Sequence, residues 1–196
     1  MVDALLTATV RVVGQDGYDR ASTNRIADVA GVSIGSLYQY FPNKEALVGL
    51  ALEERIGHMG AVVADGIRAL ADRPMTSGTR ELVGIILLDH ARDLPFQAQF
   101  HELVAKVGVM RPYLAYRRDL VTVSRCHLER HGEELGRRDI ETAAVVVIDL
   151  FDALMHSSIH HFPERLTDPA FADEVTAVLL DYLKVPGRET DAPSAP

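Results

Sequence analysis

The chain has 196 residues, 47% hydrophobic and 6% aromatic, with no tryptophan and a formal net charge of -8 from 20 Lys and Arg against 28 Asp and Glu. That supports one or two small domains with a core of Ala, Leu, Val and Ile, and excludes nucleic-acid binding through bulk positive charge. The single cysteine, Cys126, excludes an intrachain disulfide and suits a reducing compartment. No secretory leader pattern is visible, because the first dozen residues carry Asp3 and Arg11 on an amphipathic pattern. The longest apolar run, 143–148, is far shorter than a membrane span, so a cytoplasmic protein without membrane partners is expected.

Residues 2–13 place Leu5, Leu6, Thr9, Val12 and Val13 at helical spacing, predicting a first helix that Gly14-Gln15-Asp16-Gly17 ends. Tyr18 is expected to pack in the following turn with its hydroxyl near the surface. Ser22 is a cap for a second helix whose apolar face is Ile26, Ala27, Val29 and Ala30, and Gly31 stops it in the left-handed position. Val32 is expected to tuck between helices. Ser33 caps a third helix over 34–40, where Leu37 and Phe41 share the buried face, and Phe41-Pro42-Asn43 breaks it. Two short helices about a glycine-containing turn are the helix-turn-helix shape, and its second helix is the one that enters a major groove.

Asn43 caps a fourth helix, predicted to about residue 70, with Glu45 in its first turn. It has a long apolar stripe and no proline, so it would act as a rigid rod between head and body. Residues 72–79 read as a linker by their Pro, Gly and Ser. A fifth helix is predicted over 81–93, a sixth over 96–107, a break at 108–112, a seventh over 113–135 and a charged turn at 136–139. Asp139 caps an eighth helix to about residue 162, apolar over a wider face than one partner needs. Asp168-Pro169 opens a ninth, to 183. About nine helices without a convincing strand predict an all-α chain. Its expected parts are a three-helix helix-turn-helix head over 1–47, a helical domain over 48–185, and a disordered tail over 186–196.

The segment 26–47, IADVAGVSIGSLYQYFPNKEAL, contains the string IAxxAGVSxGxLYxYFxxKExL without a gap. On these residues, 17–47 resembles the DNA-binding segment of tetracycline-repressor-type (TetR/AcrR) transcriptional regulators; the remainder resembles that family in length and helix layout alone. The resemblance implies a homodimeric regulator rather than an enzyme, with no cofactor and most often a repressor. Its operator would be an inverted repeat of double-stranded DNA, and a small-molecule effector would release it. The helical domain over 48–185 would be the effector-binding and dimerisation domain, the last two helices of each subunit building a four-helix bundle across the dimer axis. Effector entry among the fourth to eighth helices would shift the fourth and spread the heads.

The expected DNA contacts follow from these positions. Ser22, Thr23, Asn24 and Arg25 begin the second helix, where it crosses the backbone; Arg25 could instead pair with Asp28. Ser33 is first a cap and second a phosphate contact. Ile34, Gly35 and Ser36 are, by resemblance, the positions facing base edges, with Ile34 suited to a thymine methyl. Gln39 is the best single base reader, its amide suited to adenine, with a phosphate or water contact as the alternative. Tyr38 and Tyr40 suit phosphate oxygens, although Tyr40 could close the core instead, and Lys44 suits a phosphate at a helix N-terminus. Residues 1–47 carry four basic and five acidic side chains, a net of -1. Contacts must therefore be well placed. Relatives of this type often carry an Arg-rich arm before the first helix, and this sequence starts almost inside that helix. The expectation is either a shortened chain or weaker binding at physiological salt.

In the body, Ile86, His90, Phe96, Phe100, His101, Val104, Met110, Tyr113, Tyr116, Cys126 and Phe151 are the candidate effector-lining residues, at least half of them expected to be ordinary core. A moderately apolar aromatic or acyl compound would fit such a lining. The candidate dimer interface is Val147, Phe151, Leu154, Met155, Ser158, Phe171, Val175, Val178, Leu179 and Tyr182. His127/His131 and His156/His160 stand four apart, with His161 adjacent, but further ligands would have to converge from elsewhere and no metal site is expected. No nucleophile elbow, phosphate-binding glycine loop or zincin pattern is present. The alternative reading is a helical protein-interaction module with a non-functional head.

Overall fold

Side-chain caps set the first helix starts after α1. In the computed structural model, which describes residues 1–132, 135 and 139–184, α1 (Val2–Asp16) is followed by α2 (Thr23–Ala30) and α3 (Ile34–Tyr40). The Ser22 and Ser33 hydroxyls accept from the amides of Arg25 (3.2 Å) and Ser36 (3.0 Å), and Asn43 accepts from Ala46 N–H (2.8 Å) to open α4 (Lys44–Ala69). Each cap satisfies an amide that the helix itself leaves unpaired. Gly31 ends α2 at φ 70, where it returns its own N–H to Asp28 and aims Val32 N–H at Ala27. A Cβ is disfavoured in that backbone region, which is why the turn needs glycine.

The body continues with α5 (Met75–Ala91), α6 (Leu94–Gln97), α7 (Phe100–Lys106), α8 (Met110–Arg130) and α9 (Ile140–His161). A 3₁₀ turn (Pro163–Thr167) leads into α10 (Pro169–Leu183). All regular structure among the described residues is helical, as expected. The anticipated tail at 186–196 and most of the turn at 136–139 lie outside the described residues.

Three boundaries differ from the sequence reading. The anticipated linker at 72–79 is largely the first turn of α5. Pro74 precedes the helix, Met75 is buried against Leu128, Ala143, Ala144 and Leu183, and Gly78 lies close to Leu70 and Arg73. Small and turn-forming residues serve a tightly packed helix start as well as a loop. The anticipated sixth helix is two helices, parted at Ala98–Gln99. There the Gln99 amide donates to the carbonyls of Val13 (3.0 Å) and Pro95 (3.0 Å), so the break serves the exposed carbonyls at the end of α1. The anticipated break at 108–112 is shorter: Gly108 turns the chain at φ 80 and Pro112 already sits in the first turn of α8, where proline is tolerated. At the other end, α8 stops at Arg130 rather than near 135.

The largest core belongs to head and body together. Leu5, Val12, Val13, Ile26, Leu37, Phe41, Leu47 and Leu52 pack with Phe96, Phe100, Leu103 and Val104, joining α1–α3 to α4, α6 and α7. A second core joins α5, α9 and α10 through Val83, Leu87, Met155, Val175 and Leu179. The rod α4 also packs along α8 through Val63, Ile67 and Leu120. Displacement of α4 or α7 is thus felt directly inside the head.

Candidate nucleic-acid interface and sensing chamber

The heptapeptide α3 has one buried side chain, Leu37, with Phe41 closing the core just beyond its end. Everything else on it faces outward or is half-buried. Tyr38 and Tyr40 are each 51% exposed, Ile34 is 37% exposed, Gly35 and Gln39 are exposed, and Ser36 is half-buried. Tyr40 therefore does not close the core. The Ser33 and Ser36 hydroxyls pair at 2.8 Å, and Tyr38 shares a hydrogen bond with Thr23 across to α2 at 3.0 Å. Ser22, Asn24 and Arg25 are exposed beside them. Arg25 approaches Asp16 (3.9 Å) rather than Asp28.

Lys44 is more committed than the sequence suggested. Its ammonium donates to the Tyr18 carbonyl (2.8 Å) and lies 4.2 Å from the centre of the Tyr18 ring. The Tyr18 hydroxyl donates to Glu45 (3.1 Å), while Lys106 of α7 approaches the ring and pairs with Asp19 (2.6 Å). Burial, then the Glu45 carboxylate, push the Tyr18 hydroxyl above its ordinary pKa; the Lys106 hydrogen bond holds Asp19 below the usual carboxylate range. Tyr18 thus ties the α1–α2 turn to the starts of α4 and the end of α7. The sequence identified it as a packing residue and gave no sign of this knot.

Behind the head, His90, Phe100, His101, Tyr113 and Tyr116 do converge, joined by Gln97, Asp152 and His156, around a narrow, partly enclosed chamber of about 30 Å³. The other expected lining residues sit elsewhere. Phe96 and Val104 are buried in the head–body core, and Ile86 packs with Val63, Ile67 and Leu120. Phe151 is half-buried between two cores, while Met110 and Cys126 are on the surface. The split of the anticipated sixth helix explains part of this, since it turns Phe96 and Phe100 onto different arcs. Burial lowers the pKa of His90 and of His101 and raises that of Tyr113, which favours the neutral form of all three, while Asp152 brings a carboxylate to the wall, paired with Arg117 at 3.4 Å.

Adjoining it is a buried ion pair the sequence reading missed. Arg55 of α4 meets Asp89 of α5 at 2.9 Å, His58 meets the other carboxylate oxygen at 2.7 Å, and the Gln97 amide oxygen accepts from Arg55 Nε at 2.7 Å. An aspartate in the apolar run Ile85-Ile86-Leu87-Leu88-Asp89 was the available signal. Burial opposes the Asp89 charge, but the His58 hydrogen bond and the Arg55 guanidinium outweigh it and hold its pKa below the ordinary value.

The expected interface residues divide as well. Met155, Ser158, Val175 and Leu179 are buried within the chain's own core, so they are unavailable to a partner. Val178 is 45% exposed, and Val147, Phe151, Leu154, Phe171 and Tyr182 are half-buried. The exposed positions of α9 are instead Val145, Asp149, Ala153, His156 and Ser157, with Glu141, Thr142 and His160 toward its ends. Among the described residues no group of three or more His, Cys, Asp or Glu side chains is disposed to hold a metal ion.

A capped helix-turn-helix with its second helix laid open, mounted on a long helix that passes a small, partly enclosed chamber, is the architecture of a DNA-binding head on a helical body. The chain belongs to the TetR family of bacterial regulatory proteins: residues 5–51 match the family described as "Bacterial regulatory proteins, tetR family" and residues 74–183 match the "Tetracyclin repressor-like, C-terminal domain". Its members are DNA-binding transcriptional regulators with ligand-binding C-terminal domains, not enzymes. The chain is 36% identical over 53 residues to the fatty acid metabolism regulator protein of Bacillus subtilis, and 35% identical over 57 residues to the transcriptional repressor KstR of Mycobacterium tuberculosis. These segments cover 27% and 29% of this chain and only 27% and 26% of those proteins. Among solved structures it resembles a TetR-family regulator of Mesorhizobium loti (TM-score 0.75, 16% identity, 94% of this chain and 96% of that one). It also resembles FadR of Bacillus subtilis in complex with stearoyl-CoA (TM-score 0.70, 18% identity, 93% and 99%). At these identities the likeness is one of fold.

Proposed function

We propose that the protein is a homodimeric transcriptional repressor that binds an inverted-repeat operator and leaves it when a small molecule enters the body. The observation that carries this reading is α3, whose exposed face offers Ile34, Gly35, Ser36, Tyr38, Gln39 and Tyr40 while Leu37 anchors it. Ile34, Gly35 and Ser36 would meet base edges, and Gln39 would read adenine or hold a phosphate. Tyr38, Tyr40, Ser22, Thr23, Asn24, Arg25, Ser33 and Lys44 would hold the backbone. For Lys44 this means giving up, or sharing, its Tyr18 carbonyl. In this reading residues 1–47 read DNA and 48–185 sense and pair.

Pairing is supported by α9. It is long and apolar enough to cross a membrane by length and composition, yet only 22% of its most apolar window is buried within the chain. An apolar helix so little covered calls for a partner, and a second copy through α9 and α10 covers it symmetrically. The chamber supports the effector step, because it touches α4 and α7, both packed into the head. A ligand that prefers the arrangement with misplaced heads would lower operator affinity. The deciding experiment is selection of random duplex DNA by the purified chain at moderate salt. Enrichment of an inverted repeat is expected; enrichment of nothing, with or without an added basic arm, would replace this reading by that of an interaction module.

A further inference from the structure

We infer that the effector places an uncharged hydrogen-bonding head in the chamber and an apolar body in the cleft between α4 and α8, entering past the ring of Tyr116. This rests on the effector reading above and gives it a ligand class and a route.

The head is set by which polar groups are already spoken for. The His90 Nδ1–H donates to the Ile86 carbonyl (2.9 Å), which leaves Nε2 as a bare acceptor. With its oxygen on Arg55, the Gln97 amide keeps its N–H donors for the chamber. His101 Nε2 and the Tyr113 hydroxyl satisfy each other at 3.1 Å. The Tyr116 hydroxyl has no hydrogen-bond partner among the described residues, and burial drives its pKa far above the phenol range. Donors and acceptors are thus on offer. Charges are not: Arg55 is held by Asp89 and Gln97, and Arg117 by Asp149 and by Asp152 (3.4 Å), the chamber's own carboxylate. A carboxylate buried here would face Asp152 with no free cation, and an ammonium would have to draw Asp152 away from Arg117, whereas a hydroxyl, amide or ester carbonyl would find matched partners without breaking an ion pair.

The body is set by space. The chamber holds about 30 Å³, room for a single water, so a ligand cannot lie wholly inside it. Beyond it is a cleft of about 540 Å³, within the usual size of ligand pockets. Its floor on α4 is Gly57, Gly60, Ala61 and Ala64, and its wall on α8 includes Leu120 and Val123. Tyr116 borders both spaces and packs against Gly60, its Cδ2 and Cε2 3.5 and 3.6 Å from where a Cβ would be. Rotation of that one ring joins chamber to cleft. The occupant then bears directly on α4, and through Gln97 on the Arg55 clamp of the same helix.

The probes are octanamide, octanoate and octylammonium at pH 8, with thermal shift reporting binding and fluorescence anisotropy reporting release from the selected operator. Octanamide is expected to raise the melting temperature, Tyr116→Phe to weaken it about tenfold, and Ala61→Leu, at an exposed position on the cleft floor, to abolish it while retaining operator binding. Tighter binding of either charged probe overturns the uncharged head, and binding by none of the three overturns the site. Unchanged affinity in Ala61→Leu overturns the route. Binding of octanamide without operator release leaves the site standing and overturns the effector reading instead.

Discussion

Replacing Asp89 by Ala tests whether the clamp between α4 and α5 holds the body together. The Arg55 and Asp89 side chains are 10% and 6% exposed, so the pair is well removed from water. Without the carboxylate, the guanidinium keeps only the Gln97 oxygen and the Asp89 backbone carbonyl at 3.4 Å. A buried charge stripped of its partner costs about 3–5 kcal/mol, a large part of the roughly 5–15 kcal/mol that holds a domain folded. Asp89→Leu combined with Arg55→Met removes both charges and should recover most of the loss, since desolvation of the pair offsets most of its attraction. The carboxyl has a folded pKa below its unfolded value of 3.8, so its contribution is complete above that value and disappears as pH falls through the lower, folded one. Urea denaturation followed by circular dichroism, at one fixed protomer concentration, would read these differences at pH 7 and again in acid. A loss below about 1 kcal/mol at pH 7, or a double variant no better than the single, would refute the argument.

Backbone predictions separate two glycines of the same type. Gly31→Ala should cost about 1 kcal/mol in thermal unfolding because φ is 70, whereas Gly84→Ala, whose Cβ would meet nothing within 4 Å in the middle of α5, should gain about 0.5–1 kcal/mol. At the DNA face, Lys44→Ala should weaken binding to all sequences alike and reduce the salt slope, while Gln39→Ala should relax one operator position; a uniform loss from Gln39→Ala would leave it a backbone contact. Val178→Asp, on the exposed arc of α10, should shift sedimentation toward monomer and with it lower operator affinity.

The head was legible because each of its decisions is local. A cap, a glycine stop and an i, i+4 apolar pair lie within a few residues of one another, and Ser22, Gly31, Ser33, Leu37 and Asn43 each do in the structure what their neighbours in sequence require. The body was legible in outline only, because its decisions are long-range. Gln99 breaks a helix to serve carbonyls 85 and 86 residues away, and Asp89 is buried only because Arg55 reaches it across 34 residues. The expected interface residues divide for a related reason. α9 is apolar over a wide face, so period alone could not separate the arc of Met155 and Ser158, turned to its own core, from that of Val145 and Ala153, turned out.

Two connections run from the chamber to the head, and they differ in kind. Through α7, Phe100 lines the chamber and also packs in the head core, while Lys106 at the helix end grips Asp19 beside the Tyr18 knot. Through α4, Met59 lines the chamber one turn beyond Arg55, and the same helix begins with Lys44 and Glu45 on Tyr18. Both therefore end on one residue, at the turn that orients α2 and hence α3. A ligand that moves α4 against α7 need not deform either helix; it need only shear the two supports of Tyr18, and a tight core transmits small displacements rather than absorbing them. Tyr18→Phe keeps the ring under both lysines and removes only the Glu45 hydrogen bond, so it should leave operator binding near normal. Tyr18→Ala should uncouple effector binding from release, with effector affinity retained in the thermal-shift assay and operator release lost in the anisotropy assay. Full release in Tyr18→Ala would show that the signal bypasses this turn.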